Sequence, residues 1–174
     1  MIKNYSYVTL LTNDSYSYGI TLLTESLKKV KAKYPLHVLV TPNVSKAILK
    51  LLDQLDLTYE ITDIIPTPDV LYERNKKIQS TFSSTWKYCW TKFKIFNLTQ
   101  FSKIVFLDAD IMINKNIDHL FTKKHMTAAL DGEYFNIWPG NDHFNSGCLI
   151  IEPNEEEYNK ILDFANNLDI DSLP

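Results

Sequence analysis

Two aspartates separated by a single residue, Asp108 and Asp110, have the clearest capacity for chemistry in this 174-residue chain. They directly follow an apolar run, Ile104 to Leu107, which is typical of a buried strand. In an extended backbone, residues i and i+2 point to the same side, so both carboxylates could converge on one cation. Hard divalent ions such as Mn²⁺ or Mg²⁺ prefer oxygen ligands and can bridge to a diphosphate. The motif therefore predicts a metal ion that assists the departure of a phosphate group.

Two other interpretations of this motif remain open. In one, one of the two aspartates caps the following turn and the other is merely solvated. In the other, the strand belongs to a haloacid-dehalogenase-like phosphatase, with Asp108 as nucleophile and Asp110 as general acid. Such phosphatases usually carry this strand near the N-terminus and need an acidic pair far downstream. In this sequence a long α/β pattern comes first, which favours a metal site and leaves the phosphatase as an alternative.

Alternating strand and helix patterns must position these carboxylates. Before them, the spacing of apolar residues predicts strands at Tyr5–Thr12, Leu36–Val40 and Tyr59–Ile65, and helices at Tyr18–Val30, Ser45–Leu55 and Trp86–Asn97. After the strand Lys103–Leu107, it predicts a helical turn at Ile117–Phe121, strands at Thr127–Leu130 and Phe144–Ile151, and a helix at Asn154–Leu168. This order predicts an α/β fold with a mostly parallel sheet flanked by helices. Its ligand should bind beyond the carboxyl ends of the strands.

The composition narrows the class of protein. The length predicts one domain, residues 1–174. Hydrophobic residues make up 45% and charged residues 22%, and the formal net charge of −3 argues against a nucleic-acid partner. No apolar stretch approaches the roughly 18–20 residues that span a bilayer, and no secretory leader is evident. We therefore expect a cytoplasmic protein with no membrane partner. The two cysteines, Cys89 and Cys148, are predicted to be buried free thiols.

Four collinear segments resemble the glycogenin-like, family-8 retaining glycosyltransferases. They are Val8–Tyr16, Lys92 with the following Asn97–Asp110, Asn116–Phe121, and Phe144–Gly147. The resemblance implies a GT-A fold and transfer of a hexose, with glucose favoured, from a UDP-sugar donor. The acceptor would be a glycan or a protein, the anomeric configuration would be retained, and the reaction would depend on Mn²⁺ or Mg²⁺.

The resemblance also assigns roles to individual residues. Those that hold the uracil and its ribose are Leu10, Thr12, Asn13 and Tyr16, with Tyr16 as the stacking ring. Those at the diphosphate are Lys92, which contacts the donor and assists catalysis, the metal ligands Asp108 and Asp110, and Ala109 between them. Those at the donor sugar are the catalytic Asp131, then Asn145 and Ser146, and Gly147, which allows a close backbone approach.

The sequence departs from the family pattern in one important respect. Family members have an Asp-Gln motif implicated in catalysis, and later a His-x-x-Gly-x-x-Lys-Pro-Trp segment that supplies the third metal ligand and a phosphate-binding lysine. Neither follows Phe144–Gly147 in this sequence, and its one Asp-Gln pair, Asp53-Gln54, lies far upstream on a predicted helix. The expectation is a GT-A domain without the catalytic C-terminal segment, and hence, as an alternative function, a nucleotide-sugar-binding module with little turnover. An aromatic helix near Trp86–Phe96 suggests a homodimer.

Overall fold

A single six-stranded sheet organises the molecule. The computed structural model describes residues 4–69, 71–73, 84–130 and 144–168, and the structural statements below concern this part of the chain. The strands are β1 (Tyr5–Leu11), β2 (Leu36–Val40), β3 (Thr58–Ile61), β4 (Lys103–Leu107), β5 (Thr127–Leu130) and β6 (Phe144–Ile151). They lie in the order β3-β2-β1-β4-β6-β5. The first four run parallel, and β6 is antiparallel to both of its neighbours. The predicted α/β fold with a mostly parallel sheet is confirmed.

Helices cover both faces of this sheet. They are α1 (Ser17–Lys29), α2 (Lys46–Gln54), a 3₁₀ helix (Ser84–Asn97) and α3 (Glu155–Asn166), with shorter 3₁₀ turns at Asp14–Tyr16 and Asp118–Thr122. Every residue of β2 and of β4 is buried. Such continuously buried strands are expected where a parallel sheet is covered on both sides.

Alternation along the strands assigns each helix to a face. On β1, Tyr7 packs in a cluster with Leu23 and Leu27 of α1. The next residue, Val8, packs instead with Ile95 and Phe96 of the 3₁₀ helix and Tyr158 of α3. Because successive strand residues point to opposite faces, α1 covers one face, and the 3₁₀ helix and α3 cover the other.

The structure differs from the sequence-based expectations in two elements and in the burial of the cysteines. The segment expected as an ordinary helix at Trp86–Asn97 is a 3₁₀ helix, with three residues per turn. The strand expected at Tyr59–Ile65 ends at Ile61, and Ile65 instead exchanges hydrogen bonds with the buried Thr91 of the 3₁₀ helix. Cys89 is exposed and Cys148 partly buried, so the prediction that both thiols are buried is wrong.

Two predictions about partners concern surfaces of this fold. Within the described ranges, no helix combines the length and apolar character needed to cross a bilayer. Residues 87–97 do not present the exposed aromatic surface expected there, because Tyr88, Trp90 and Phe93 are partly buried and Phe96 is buried. The homodimer stays a prediction without that surface to support it.

Candidate active site

A cleft of about 230 Å³ opens beyond the carboxyl ends of β1 and β4. This is where an open parallel sheet brings its loops together and binds ligands. Three segments line the cleft: the end of β1 and the turn after it, the 3₁₀ helix, and the turn after β4. Their lining residues are Leu10, Thr12, Tyr16, Tyr88, Cys89, Lys92, Asp108, Ala109 and Asp110. All of these except Tyr88 and Cys89 were predicted as donor contacts on the family resemblance.

The two aspartates reach the cleft by a turn and not by an extended backbone. β4 ends at Leu107, and the backbone N–H of Ile111 donates to the carbonyl of Asp108 at 3.2 Å. Ala109 is buried, whereas Asp110 is exposed and the Asp108 side chain is 38% exposed. Asp108 and Asp110 therefore line the same cleft, as expected. A turn brings them there, and not the i, i+2 alternation of an extended strand.

Lys92 ties the 3₁₀ helix to the ends of β4 and β6. Its ammonium lies 2.8 Å from Asp108 Oδ1. It also donates hydrogen bonds to the carbonyl oxygen of Ser146 at 3.1 Å and to the hydroxyl oxygen of Ser146 at 3.2 Å. The same nitrogen lies 4.9 Å from the centre of the Phe106 ring. Its side chain is 19% exposed. Asp108, Ser146 and Phe106 thus hold the charged group in place beside the cleft.

Gly147 lies behind Asp108. Its carbonyl accepts the backbone N–H of Asp108 at 2.9 Å, and its own N–H donates to Asn145 Oδ1 at 2.7 Å. A Cβ at this position would stand 2.9 Å from Asn145 Oδ1 and 3.0 Å from Asp108 Oδ2. Gly147 thus lies close to two side chains of the protein, and the close approach of its backbone to a donor sugar stays a prediction.

The turn after β1 is held by side chains that serve the backbone. Asn13 Oδ1 accepts the N–H of Ser15 at 3.0 Å and caps the first 3₁₀ turn. Asp14 Oδ1 accepts the N–H of Ser45 at 2.8 Å, and this hydrogen bond lowers the pKa of Asp14. Asn13 does not line the cleft, although its amide lies 3.4 Å from the hydroxyl of Thr12, which does. Contact between Asn13 and uracil stays a prediction.

Several predicted site residues stand apart from the cleft wall. Three of them do not line the cleft but lie next to residues that do: Ser146 accepts hydrogen bonds from Lys92, and Gly147 lies beside Asp108 and Asn145. Asp131, predicted to contact sugar hydroxyls, lies outside the described residues. Within the described part, no third metal-ligating side chain joins the two aspartates.

Two residues of the cleft were not anticipated from the sequence. Tyr88 and Cys89 precede Lys92 on the 3₁₀ helix and line the cleft with it. In a helix of three residues per turn, Cys89 and Lys92 lie one above the other. That periodicity is the signal that could have indicated Cys89, but the apolar pattern of this segment did not distinguish a 3₁₀ helix from an α-helix.

These features define a class of protein. A mostly parallel sheet with helices on both faces carries a cleft at its strand ends, and a cation and two carboxylates stand beside an aromatic ring. Open α/β sheets bind their ligands at this position, and the fold is that of the GT-A glycosyltransferases. The chain belongs to glycosyl transferase family 8, whose family model matches residues 7–171.

Known proteins that resemble the chain agree with this assignment. It is 36% identical to human glycogenin-1 over 162 residues, which are 92% of this chain and 43% of that protein. It is 28% identical to galactinol synthase 1 of Arabidopsis thaliana, over 90% of this chain and 52% of that protein. The chain thus spans less than half the length of human glycogenin-1.

Solved structures share the fold at low sequence identity. The galactosyltransferase LgtC, solved with donor and acceptor sugar analogues, superposes with a TM-score of 0.66 at 14% identity, covering 97% of this chain and 66% of that one. The glycosyltransferase GlyE of Streptococcus pneumoniae TIGR4 superposes with a TM-score of 0.61 at 16% identity, covering 99% and 40%.

Proposed function

We propose that this domain binds a UDP-sugar and transfers its hexose, with glucose favoured, to a glycan or protein acceptor with retention of configuration. One observation carries the proposal: in a family-8 chain, Lys92, Asp108 and Asp110 line the same cleft as the ring of Tyr16. A nucleoside diphosphate has the same two parts, a flat base and a charged diphosphate.

The residues present fit a divalent cation. Asp108 and Asp110 offer carboxylate oxygens at the mouth of a cleft, which are the donors that Mn²⁺ and Mg²⁺ prefer. When bound there, such an ion would neutralise charge that develops on the diphosphate as the sugar leaves. Two carboxylates make only part of a coordination shell, so further oxygen or nitrogen donors would be needed to complete it.

The chain's own residues supply positioning and charge. Lys92 can donate to donor oxygens from its place between Asp108 and Ser146, because an ammonium has three rotatable N–H donors. The low exposure of its side chain strengthens that interaction relative to bulk water. Catalysis of this kind would be mostly electrostatic and positional, and we assign no nucleophile among the described residues.

Nucleotide binding tests the proposal. UDP with Mn²⁺ should raise the melting temperature of the protein more than GDP or ADP with Mn²⁺, because selective binding stabilises the native state.

A substitution at a proposed metal ligand is the second test. Asp110→Asn should weaken Mn²⁺-dependent UDP binding by at least about tenfold, since mutating even a residue that only supports a metal ligand typically lowers metal affinity by that factor. Asp53→Asn is the matched control, because Asp53 is exposed on α2 and away from the cleft. Equal shifts for all three nucleotides, or an unaffected Asp110→Asn, would contradict the proposal.

A binding module without turnover is the second candidate. The observation that favours it is that the described residues provide two metal-ligating side chains and no third. Release of UDP from UDP-glucose and from UDP-galactose, measured with and without a glycan acceptor, separates the two functions. Binding without release would leave a nucleotide-sugar-binding module. Family membership gives no support to the phosphatase alternative, which would form a phosphorylated Asp108 independently of uridine.

A further inference from the structure

The cleft has a second aromatic ring, Tyr88, opposite the turn that carries Tyr16. Tyr16 precedes α1 and packs against the cluster that contains Leu11 and Ile20, on the face of the sheet that α1 and α2 cover. Tyr88 belongs to the 3₁₀ helix, which packs on the other face through Ile95 and Phe96. Both rings line the same cleft beyond the strand ends. The two residues therefore come to the cleft from elements that pack on opposite faces of the sheet.

The backbone around Tyr88 is fixed from both sides by one buried residue. The N–H of Thr67 donates to the carbonyl of Lys87 at 2.8 Å, and the Thr67 hydroxyl lies 3.1 Å from the sulfur of Cys89. Thr67 itself is buried, with 5% of its surface exposed. The residues immediately before and after Tyr88 are therefore anchored, so the backbone that carries this ring is held beside the cleft.

The spacing of Tyr88 and Lys92 matches the chemistry of a nucleoside diphosphate. A 3₁₀ helix rises about 2 Å per residue, so the two residues are about 8 Å apart along the axis. The helix thus presents an aromatic ring at one point and an ammonium group further along the same cleft. A nucleoside diphosphate carries a planar base, then a ribose, then charged phosphates, and it can lie along this wall in that order.

We propose that Tyr88 is a base-contacting residue that packs on the face of the uracil opposite to Tyr16, so that the base is held between two rings. This inference rests on the proposed binding of a uridine donor. Every nucleobase offers a π face to an aromatic side chain, so the second ring adds affinity for the base. Tyr16 packs against a buried cluster and the backbone beside Tyr88 is anchored, which reduces the entropy lost on binding.

Substitutions at Tyr88 test this role by calorimetry with Mn²⁺ present. Tyr88→Leu should weaken UDP binding about tenfold, the usual size of losing one stacking ring. Tyr88→Phe keeps the ring and should stay within about twofold of the parent. Inorganic pyrophosphate has no base, so its affinity should not change in either variant. Tyr18→Leu is the matched control, since Tyr18 is 83% exposed on α1 and does not line the cleft.

A second measurement does not depend on how Tyr88→Leu folds. In the Tyr16→Leu variant, saturation of tyrosine ring protons should still transfer to the H5 and H6 protons of bound uracil, because Tyr88 remains beside the base. Absence of that transfer, or parent-like UDP affinity in Tyr88→Leu, would overturn the role of Tyr88 alone. If the parent protein does not bind UDP, the proposed function fails, and the inference fails with it.

Discussion

Lys92 joins three parts of the site that are distant in sequence. It pairs with Asp108 at the end of β4, donates to Ser146 at the start of β6, and lies on the 3₁₀ helix. An isolated lysine in an aromatic helix would be interpreted from sequence as solvated, and only the family resemblance pointed to this one. Its contacts explain the choice of residue, because only a long, flexible side chain reaches from the 3₁₀ helix to the carboxylate of Asp108 after β4.

Gly147 provides a prediction that separates binding from stability. In Gly147→Ala, the added methyl group would press on Asp108 Oδ2 and Asn145 Oδ1, which are ends of flexible side chains that can shift. We expect a loss of stability of about 1 kcal/mol or less, but a loss of Mn²⁺-dependent UDP affinity of about tenfold or more, because Asp108 moves. Denaturant unfolding and calorimetry on the same variant measure both. Unchanged UDP affinity would show that Asp108 tolerates the displacement.

The residues of the site were only partly predictable from the sequence. Asp108 and Asp110 could be predicted from the local pattern alone, because two carboxylates directly after an apolar strand indicate a possible metal site. Tyr16, Thr12 and Lys92 needed the family resemblance. Tyr88 could not be found by either route, because its place in the cleft depends on contacts from Thr67, which belongs to no recognisable sequence pattern.

The contact between α1 and the turn after β4 leads to a second prediction. Gly19 of α1 lies against the carbonyl of Ala109, and a Cβ there would also stand 3.4 Å from the Cα of Asp110. Alanine usually stabilises a helix relative to glycine by about 0.5–1 kcal/mol. Overpacking typically costs about 1–3 kcal/mol, and at Gly19 the clashing atoms are backbone and cannot move alone.

We therefore expect Gly19→Ala to be destabilising by about 1–2 kcal/mol and to weaken UDP binding, because α1 would be pushed away from the turn that carries Asp110. Chemical denaturation and UDP titration measure the two effects. Tyr18→Ala, on the exposed neighbouring position, should change the free energy of unfolding by only about 0.5 kcal/mol. A Gly19→Ala protein more stable than its parent would mean that helix propensity outweighs the clash.

Asp118 joins three parts of the chain by hydrogen bonds and leads to a third prediction. It accepts the Tyr7 hydroxyl of β1 at 2.8 Å, the N–H of Lys33 before β2 at 3.1 Å, and the Asn116 amide at 2.8 Å. Burial alone would raise the pKa of Asp118, but these hydrogen bonds outweigh it and lower the pKa. The family segment around Asp118 is thus structural and not part of the cleft.

Asp118→Asn replaces one acceptor oxygen by a donor that faces other donors. The free energy of unfolding should fall by about 1–3 kcal/mol, while UDP affinity at a temperature where the protein is folded should not change. Asp163→Asn, at an exposed position on α3, serves as the control for the loss of a charge. A weakened UDP affinity in Asp118→Asn would place this residue in the binding machinery.

The elements themselves were largely predictable, and the exceptions have physical causes. β1, β2 and β4 are dense in apolar and β-branched residues, and α1 and α2 repeat them at helical spacing, so local pattern and tertiary structure agree. β3 is shorter than expected because Ile65 bonds with Thr91 instead of continuing the ladder. The 3₁₀ geometry of Ser84–Asn97 could not be foreseen, since the apolar pattern of this segment does not distinguish a 3₁₀ helix from an α-helix.

A buried histidine makes the stability of the protein depend on pH. His37 of β2 lies 2.9 Å from the Thr58 hydroxyl, and its other ring nitrogen lies 3.7 Å from the carboxylate of Glu60. Burial lowers the pKa of His37, and Glu60 opposes this without cancelling it. The folded state therefore binds fewer protons than the unfolded state, in which histidine titrates near pH ~6.5.

It follows that the free energy of unfolding should decrease as pH falls below about 6.5, with a slope of at most about 1.4 kcal/mol per pH unit from this one group. Urea unfolding at several pH values between about 8 and about 5, the range in which histidine changes its charge, measures the slope. His37→Gln should flatten it, whereas His119→Gln, at an exposed position, should not. Asp118 affects only a more acidic range, because its lowered pKa lies below the usual carboxyl value. Equal slopes in all three proteins would exclude His37 as the cause.

The placement of β4 beside β1 has a consequence for how the chain is made. Hydrogen bonds at this junction join Asn4 and Ser102, which are 98 positions apart. A ribosome adds about 5–20 residues per second, so β1, β2 and β3 can pair several seconds before β4 emerges. During that interval the free edge of β1, with Tyr7 and Val8 uncovered, is open to pairing with other nascent chains. The cleft, which needs the ends of both β1 and β4, is completed only when that edge closes, so a nucleotide cannot protect the half-made domain from aggregation.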